Sequence, residues 1–236
     1  MNRVTSIDAR MLERFEQGYA ARPELNVMSN AVSRTALPDA AFVPAAAAKL
    51  RMDFSVLVKT NNITNQKQSG RCWMFAALNT LRYQVMKKYD LKTFELSQAY
   101  LFFWDKLEKS NYFLESILDT LDEPANGRLV SYLLTAPVND GGQWDMLCNL
   151  IEKYGVVPKD AMPETVCSSA TREMAGYMTR KLREYACTLR TGHQNGKSLE
   201  ELRQEKDAMM ATIYNMLCVC LGKPPKTVTL EVRNKK

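Results

Sequence analysis

Apolar positions along this chain recur mostly at helical spacing between turn residues, which predicts a mainly α fold (α+β, with few strands). Leu12, Phe15 and Tyr19 share one helix face within residues 6–20, with Ser6 as the candidate cap. Residues 21–50 lack a clear period and are punctuated by Pro23, Pro38 and Pro44, a pattern that predicts a mostly extended arm. Residues 53–58 read as a strand leading into an Asn-rich turn. From Trp73 an unbroken run predicts a central helix over about 72–88, apolar nearly all round at its start, as a helix buried in a core should be.

Ser97 is placed to cap the next helix, with Tyr100, Leu101, Trp104 and Leu107 on one core-facing side. Further helices are expected over 114–122 and 127–135, the second stopped by Pro137. Asn139, Asp140, Gly141 and Gly142 compose a turn. It opens a helix with Trp144, Leu147, Leu150, Ile151 and Tyr154 on its apolar side and Gly155 as its stop, and Asp140 and Asp145 read as caps. Beyond Ser168, Met174, Tyr177, Met178, Leu182, Tyr185 and Leu189 mark one face of a long helix, and a turn follows at 192–196. Ser198 with Glu201 then forms a capping box for a second helix ended by Gly222. Residues 227–232 alternate like one strand before a basic ending.

One residue in this frame carries chemistry. Residues 66–75 place Cys72 in the first turn of the central helix, after Ser69 and Gly70. Unpaired backbone N–H groups and the positive end of the helix dipole gather there and favour thiolate over thiol, which makes Cys72 a candidate nucleophile. Gln66 lies six residues earlier across a glycine-containing loop, so its side-chain amide could return beside the sulfur. With the Cys72 N–H it would form an oxyanion hole, in which one donor is typically worth roughly 2.7–4 kcal/mol of transition-state stabilisation. The paired Gly141 and Gly142 allow either a plain tight turn or close approach of a peptide backbone.

Composition narrows the remaining classes. At 236 residues, 46% hydrophobic and 25% charged, the chain can bury a real core in one or two domains. A formal charge of +6 spread over polar faces, without an aromatic-interleaved basic stripe, reads as a solvated surface rather than a nucleic-acid face. Six cysteines show no disulfide-framework spacing, and neither a secretory leader nor a bilayer-length apolar run is visible, so a cytoplasmic setting is expected. The single histidine, His193, sits in a Gly-flanked turn with no partner at zinc-ligand spacing, so neither a metal nor a cofactor is implied. A redox thiol protein is disfavoured because no second cysteine lies near Cys72 in sequence.

The run from Asn65 to Trp73, with Phe75, resembles the active-site signature of papain-like cysteine peptidases, in the wording of their bleomycin hydrolase and aminopeptidase C branch. The resemblance extends through Leu96-Ser97-Gln98, residues 100–106, 139–146 and 152–156, and covers the chain from about 50 to about 225. Ser69 stands where secreted relatives usually carry a disulfide cysteine. What the resemblance implies is the helical left half of a papain-like peptidase with an inserted helical hairpin, the β-rich right half that supplies the catalytic His and Asn being absent. It further implies cysteine-type aminopeptidase activity on peptide substrates, Gly141 and Gly142 as substrate-backbone binders, and homo-oligomeric assembly served by the hairpin over 168–222, which from the residues alone reads as readily as ordinary core. The expected organisation is an N-terminal helix and arm (1–50), a papain-like helical subdomain (51–167), the hairpin (168–226) and a truncated strand with a basic tail (227–236). The 236-residue chain alone is expected to be inactive. The alternative is a truncated, non-catalytic relative serving as an interaction module.

Overall fold

The computed structural model describes residues 6–51, 53–58 and 62–233, in two compact units that divide after Val58. The first unit contains four helices, α1 (Ala9–Ala20), α2 (Glu24–Val32), α3 (Leu37–Ala40) and α4 (Pro44–Ala47). The expected extended arm is therefore helical. Its prolines begin helices instead of breaking them: Pro23 caps α2, while Pro38 and Pro44 sit in the first turns of α3 and α4, where a missing N–H costs nothing. Asp8, not Ser6, caps α1 by accepting from the Met11 N–H at 2.8 Å. No residue of these four helices is buried. Residues 53–58 are irregular and exposed rather than a strand.

In the second unit, α5 (Cys72–Lys88) matches the expected helix. The organising element, however, is α6 (Gln98–Asp119), which buries 13 of its 22 residues against 6 of 17 in α5. The separate helix expected over 114–122 is instead the C-terminal part of α6, because neither Pro nor Gly interrupts the run; the Ser110 hydroxyl donates back to the Lys106 carbonyl at 2.7 Å, which keeps it satisfied inside the helix. Ser97 caps it as expected, accepting from the Tyr100 N–H at 3.0 Å. Next come α7 (Arg128–Thr135), α8 (Trp144–Tyr154), stopped by Gly155 at φ +74°, and the short α9 (Val166–Ser169). Trp144 is 67% exposed, since at the first helical position it precedes the face that Leu147 and Leu150 bury.

The hairpin is α10 (Arg172–Gln194) and α11 (Leu199–Leu221), and the Ser198–Glu201 capping box is formed. Gly192 lies inside α10 rather than in the turn. A Cβ there would stand 2.9 Å from Leu202, so the missing side chain lets the two helices close. Met178, Leu182 and Leu189 from α10 and Ile213 and Leu217 from α11 join Phe102, Phe103, Leu114 and Ile117 of α6 in one hydrophobic cluster. Burying each such side chain contributes roughly 1.5–3 kcal/mol. Tyr177 is largely exposed, and Met178 takes the inward position instead.

Among the described residues there is no strand, only two isolated bridges, Gln68 with Ala170 and Leu96 with Pro158. Residues 227–233 follow an irregular path, because alternation without a neighbouring strand gives no ladder. No helix among the described residues is long and apolar enough to cross a membrane.

Candidate active site

Cys72 is the first residue of α5, and its side chain is exposed. As the first helical residue its N–H has no intrahelical acceptor. The loop before it is closed by reciprocal bonds: the Gln66 amide donates to the Ser69 carbonyl at 2.7 Å, and the Ser69 hydroxyl donates to the Gln66 carbonyl at 2.6 Å. A side-chain amide carries two N–H donors, so the first bond orients the Gln66 group and leaves the second donor for another acceptor.

Arg71, between that loop and the cysteine, is fully buried. Its guanidinium forks onto Glu164 at 3.0 and 2.8 Å, donates to Ser69 Oγ at 2.9 Å, and lies 5.1 Å from the ring centres of both Phe75 and Phe102. Bidentate pairing of this kind fixes orientation as well as charge. On the other side of the loop, the Gln68 N–H donates to the Ser169 carbonyl at 2.9 Å, and the Thr171 N–H donates to the Gln68 carbonyl at 3.3 Å.

Asp140, expected from sequence to cap a helix, is instead a junction, and Gln143 occupies the cap position of α8. One Asp140 oxygen accepts from Lys106 Nζ at 2.7 Å, and the other accepts from the Gly70 N–H at 3.0 Å and from Thr171 Oγ1 at 2.5 Å. The Asp140 carbonyl accepts from Trp73 Nε1 at 2.9 Å. Burial pushes the Asp140 carboxyl up, but the Lys106 ammonium and the three donors outweigh it and hold the group below its ordinary range. Burial pulls Lys106 down. Asp140 and Asp105 pull the other way, and its three N–H donors are all used, on Asp140 and on the Val138 and Asn139 carbonyls at 2.7–2.9 Å. Burial raises neighbouring Asp105, against the pull of Lys109 and Lys106.

The two glycines behave differently. Gly142 backs onto the Trp73 indole, leaving no room for a Cβ. Gly141 is exposed, has nothing within 4 Å of where a Cβ would stand, and accepts from Lys109 Nζ at 2.7 Å through its carbonyl. A cleft of about 590 Å³ runs past both, lined also by Tyr112, Tyr132 and Met146. His193 stands in the last turn of α10, its Nε2 3.1 Å from Asp122. It is about 30 Å along the helix from Thr171, at ~1.5 Å per residue.

Cys72, Gln66 and the glycine pair thus belong to one assembly, joined through Gly70, Trp73 and Asp140. Sequence reasoning missed Arg71, Lys106, Glu164 and Thr171. The sequence carried little signal for them: Arg71 follows a polar loop, and Lys106 stands beside Asp105, Glu108 and Lys109 as solvated helix charges do.

The profile of the Peptidase C1-like family matches residues 6–236. Aminopeptidase C of Lactobacillus delbrueckii subsp. lactis is 44% identical over 231 residues, which are 98% of this chain and 51% of that protein. Human bleomycin hydrolase is 50% identical over 175 residues, 73% of this chain and 38% of that protein. Among solved structures, the crystal structure of PepW from Lactobacillus rhamnosis HN001 superposes with a TM-score of 0.89 at 44% identity, covering 98% of this chain and 52% of that one. The chain spans about half the length of these relatives, or less.

Proposed function

The chain belongs to the Peptidase C1-like family, and on that premise we propose that it is the nucleophile-bearing part of a cysteine-type aminopeptidase. In this reading the Cys72 sulfur attacks the carbonyl of the first peptide bond. The Cys72 N–H and the free donor of Gln66 hold the developing oxyanion, and Gly141 and Gly142 line the substrate backbone. The observation that carries the proposal is the exposed thiol at the first position of α5, behind a loop held by a buried Arg71–Glu164 fork.

Turnover also needs an imidazole to take the thiol proton and return it to the leaving amine. The only histidine in the sequence is paired with Asp122 at the far end of α10. On this reading the 236 residues by themselves can be alkylated at Cys72 but do not turn over substrate, because their one imidazole does not stand beside the thiol. That same distance favours a second reading, a non-catalytic assembly module. The outer hairpin face, with an apolar groove of about 400 Å³ along Tyr177, Met216 and Val219, supports homo-oligomerisation under either reading. Six free thiols suit a reducing cytoplasm.

The test is alkylation by a dipeptidyl chloromethyl ketone with a free amino terminus, mapped by peptide mass spectrometry. The catalytic reading expects Cys72 to react well ahead of Cys187, which is also exposed, with the label lost in Cys72→Ser and no release of amine from an aminoacyl amide. Equal labelling of Cys72 and Cys187 leaves the module reading; Cys72-dependent turnover by the 236-residue chain overturns the claim about the base.

A further inference from the structure

Asp140 touches both halves of the proposed site, yet it has no part in the chemistry just described. Its carboxylate accepts from the Gly70 N–H, two residues before the nucleophile, and its own carbonyl holds the indole of Trp73, one residue after. It also directly precedes Gly141 and Gly142 in the chain. A Cβ on Gly70 would come within 2.7 Å of the Asp140 Cβ, so the two backbones are as close as a glycine permits. Lys106 and Thr171 fix the carboxylate from α6 and from the start of α10.

We propose that Asp140 is the positioning residue that fixes the distance between the Cys72 thiol and the Gly141–Gly142 wall, with Lys106 and Thr171 setting its orientation. The inference rests on the aminopeptidase reading, in which thiol and wall act on one peptide. Its physical content is that a lost acceptor at Gly70 lets the loop and the wall shift independently. Reactions that need both surfaces then slow, while reactions needing only the thiol do not.

Removing Asp140 alone would strand the buried Lys106 ammonium and destabilise the fold for an unrelated reason. The informative comparison is between two charge-balanced double variants, Lys106→Met/Asp140→Asn, which keeps an acceptor for Gly70, and Lys106→Met/Asp140→Ala, which removes it. For each, the rate of Cys72 alkylation by the dipeptidyl chloromethyl ketone is divided by its rate with iodoacetamide, which needs no peptide wall. In the first reaction the sulfur bonds the methylene carbon, chloride leaves and the thiol proton passes to buffer. Both double variants lack Lys106 and its bonds to Asp140 and to the Val138 and Asn139 carbonyls, so they are compared with each other: the ratio is expected to be about tenfold lower in the alanine than in the asparagine double variant, the scale of one hydrogen bond.

Equal ratios in the two folded double variants overturn the inference while leaving the aminopeptidase reading intact. A wild-type ratio no higher at Cys72 than at Cys187 overturns that reading, and the inference with it. Should either double variant fail to fold, Thr171→Val keeps the lysine–aspartate pair and removes one donor to Asp140. Amide exchange at Gly70 should then quicken about threefold or more, and an unchanged exchange rate overturns the inference.

Discussion

A Cβ placed on Gly142 would stand 2.5 Å from the Trp73 indole. Glycine at 142 is therefore required by the fold itself, independently of any substrate, whereas glycine at 141 is not. Gly142→Ala must displace the indole or the loop and is expected to lower stability by about 1–3 kcal/mol. Gly141→Ala is expected to stay within about 0.5 kcal/mol of wild type, the range of ordinary surface changes, while slowing chloromethyl ketone labelling of Cys72. Urea unfolding of both variants beside the labelling rate checks the pair, and equal stability losses would contradict it.

Arg71→Lys keeps the charge but not the fork. A lysine cannot satisfy both Glu164 oxygens and Ser69 Oγ with the same planar geometry, and its ammonium is more strongly hydrated than a guanidinium. The expected loss is about 1.5–3 kcal/mol, the range for hydrogen bonds to charged groups, read as a lower urea midpoint. Faster amide exchange in residues 66–71 should accompany it.

The Asp140 carboxyl predicts an acid limb in stability. Its folded pKa is depressed, so its contribution is complete above the ordinary value of 3.8 and is lost as pH falls from there through the folded value. Asp105 has the opposite sign: its folded pKa is raised, so its contribution is complete below 3.8 and is lost as pH rises through the raised value. The Lys106→Met/Asp140→Asn variant cannot lose the first contribution. The stability difference between wild type and this variant should therefore shift toward the variant on going from about pH 6 to about pH 3. Chemical denaturation at both pH values measures it.

Two caps of the same kind should differ in weight. Ser198→Ala removes only a capping box and is expected to cost about 1 kcal/mol. Thr165 caps α9 and also donates to the Cys220 carbonyl at 2.9 Å, linking α9 to α11. Thr165→Ala is expected to cost about 2 kcal/mol, combining the cap with the loss of a half-buried hydrogen bond between α9 and α11. Thermal unfolding of the two variants gives the order.

What was legible in the sequence follows from the range over which each signal acts. The start of α5 at Cys72, the Ser97 cap and the Ser198–Glu201 box were all readable, because each depends on residues within one helical turn. The prolines of the first unit misled because the same residue stops one helix and starts the next, and periodicity there was too weak to decide. The strand expected over 227–232 failed because strand formation depends on a neighbour that the segment's own alternation does not supply. The junction at Asp140 and the Arg71–Glu164 fork were hidden for a different reason. Their partners lie 70 and 93 residues apart, and a charge in a polar loop or turn does not name its distant counter-ion.

Those separations also set a clock. Helix α5 and its cysteine leave the ribosome well before Asp140, Glu164 and Thr171, the residues that hold the loop in front of it. At about 5–20 residues per second, roughly 5–20 s pass between the emergence of Gly70 and that of Thr171. Throughout that interval the thiol sits at the head of a helix whose mounting does not yet exist. The mounting in front of Cys72 is therefore complete only when the start of α10 arrives, so the order of synthesis alone delays the geometry around this thiol.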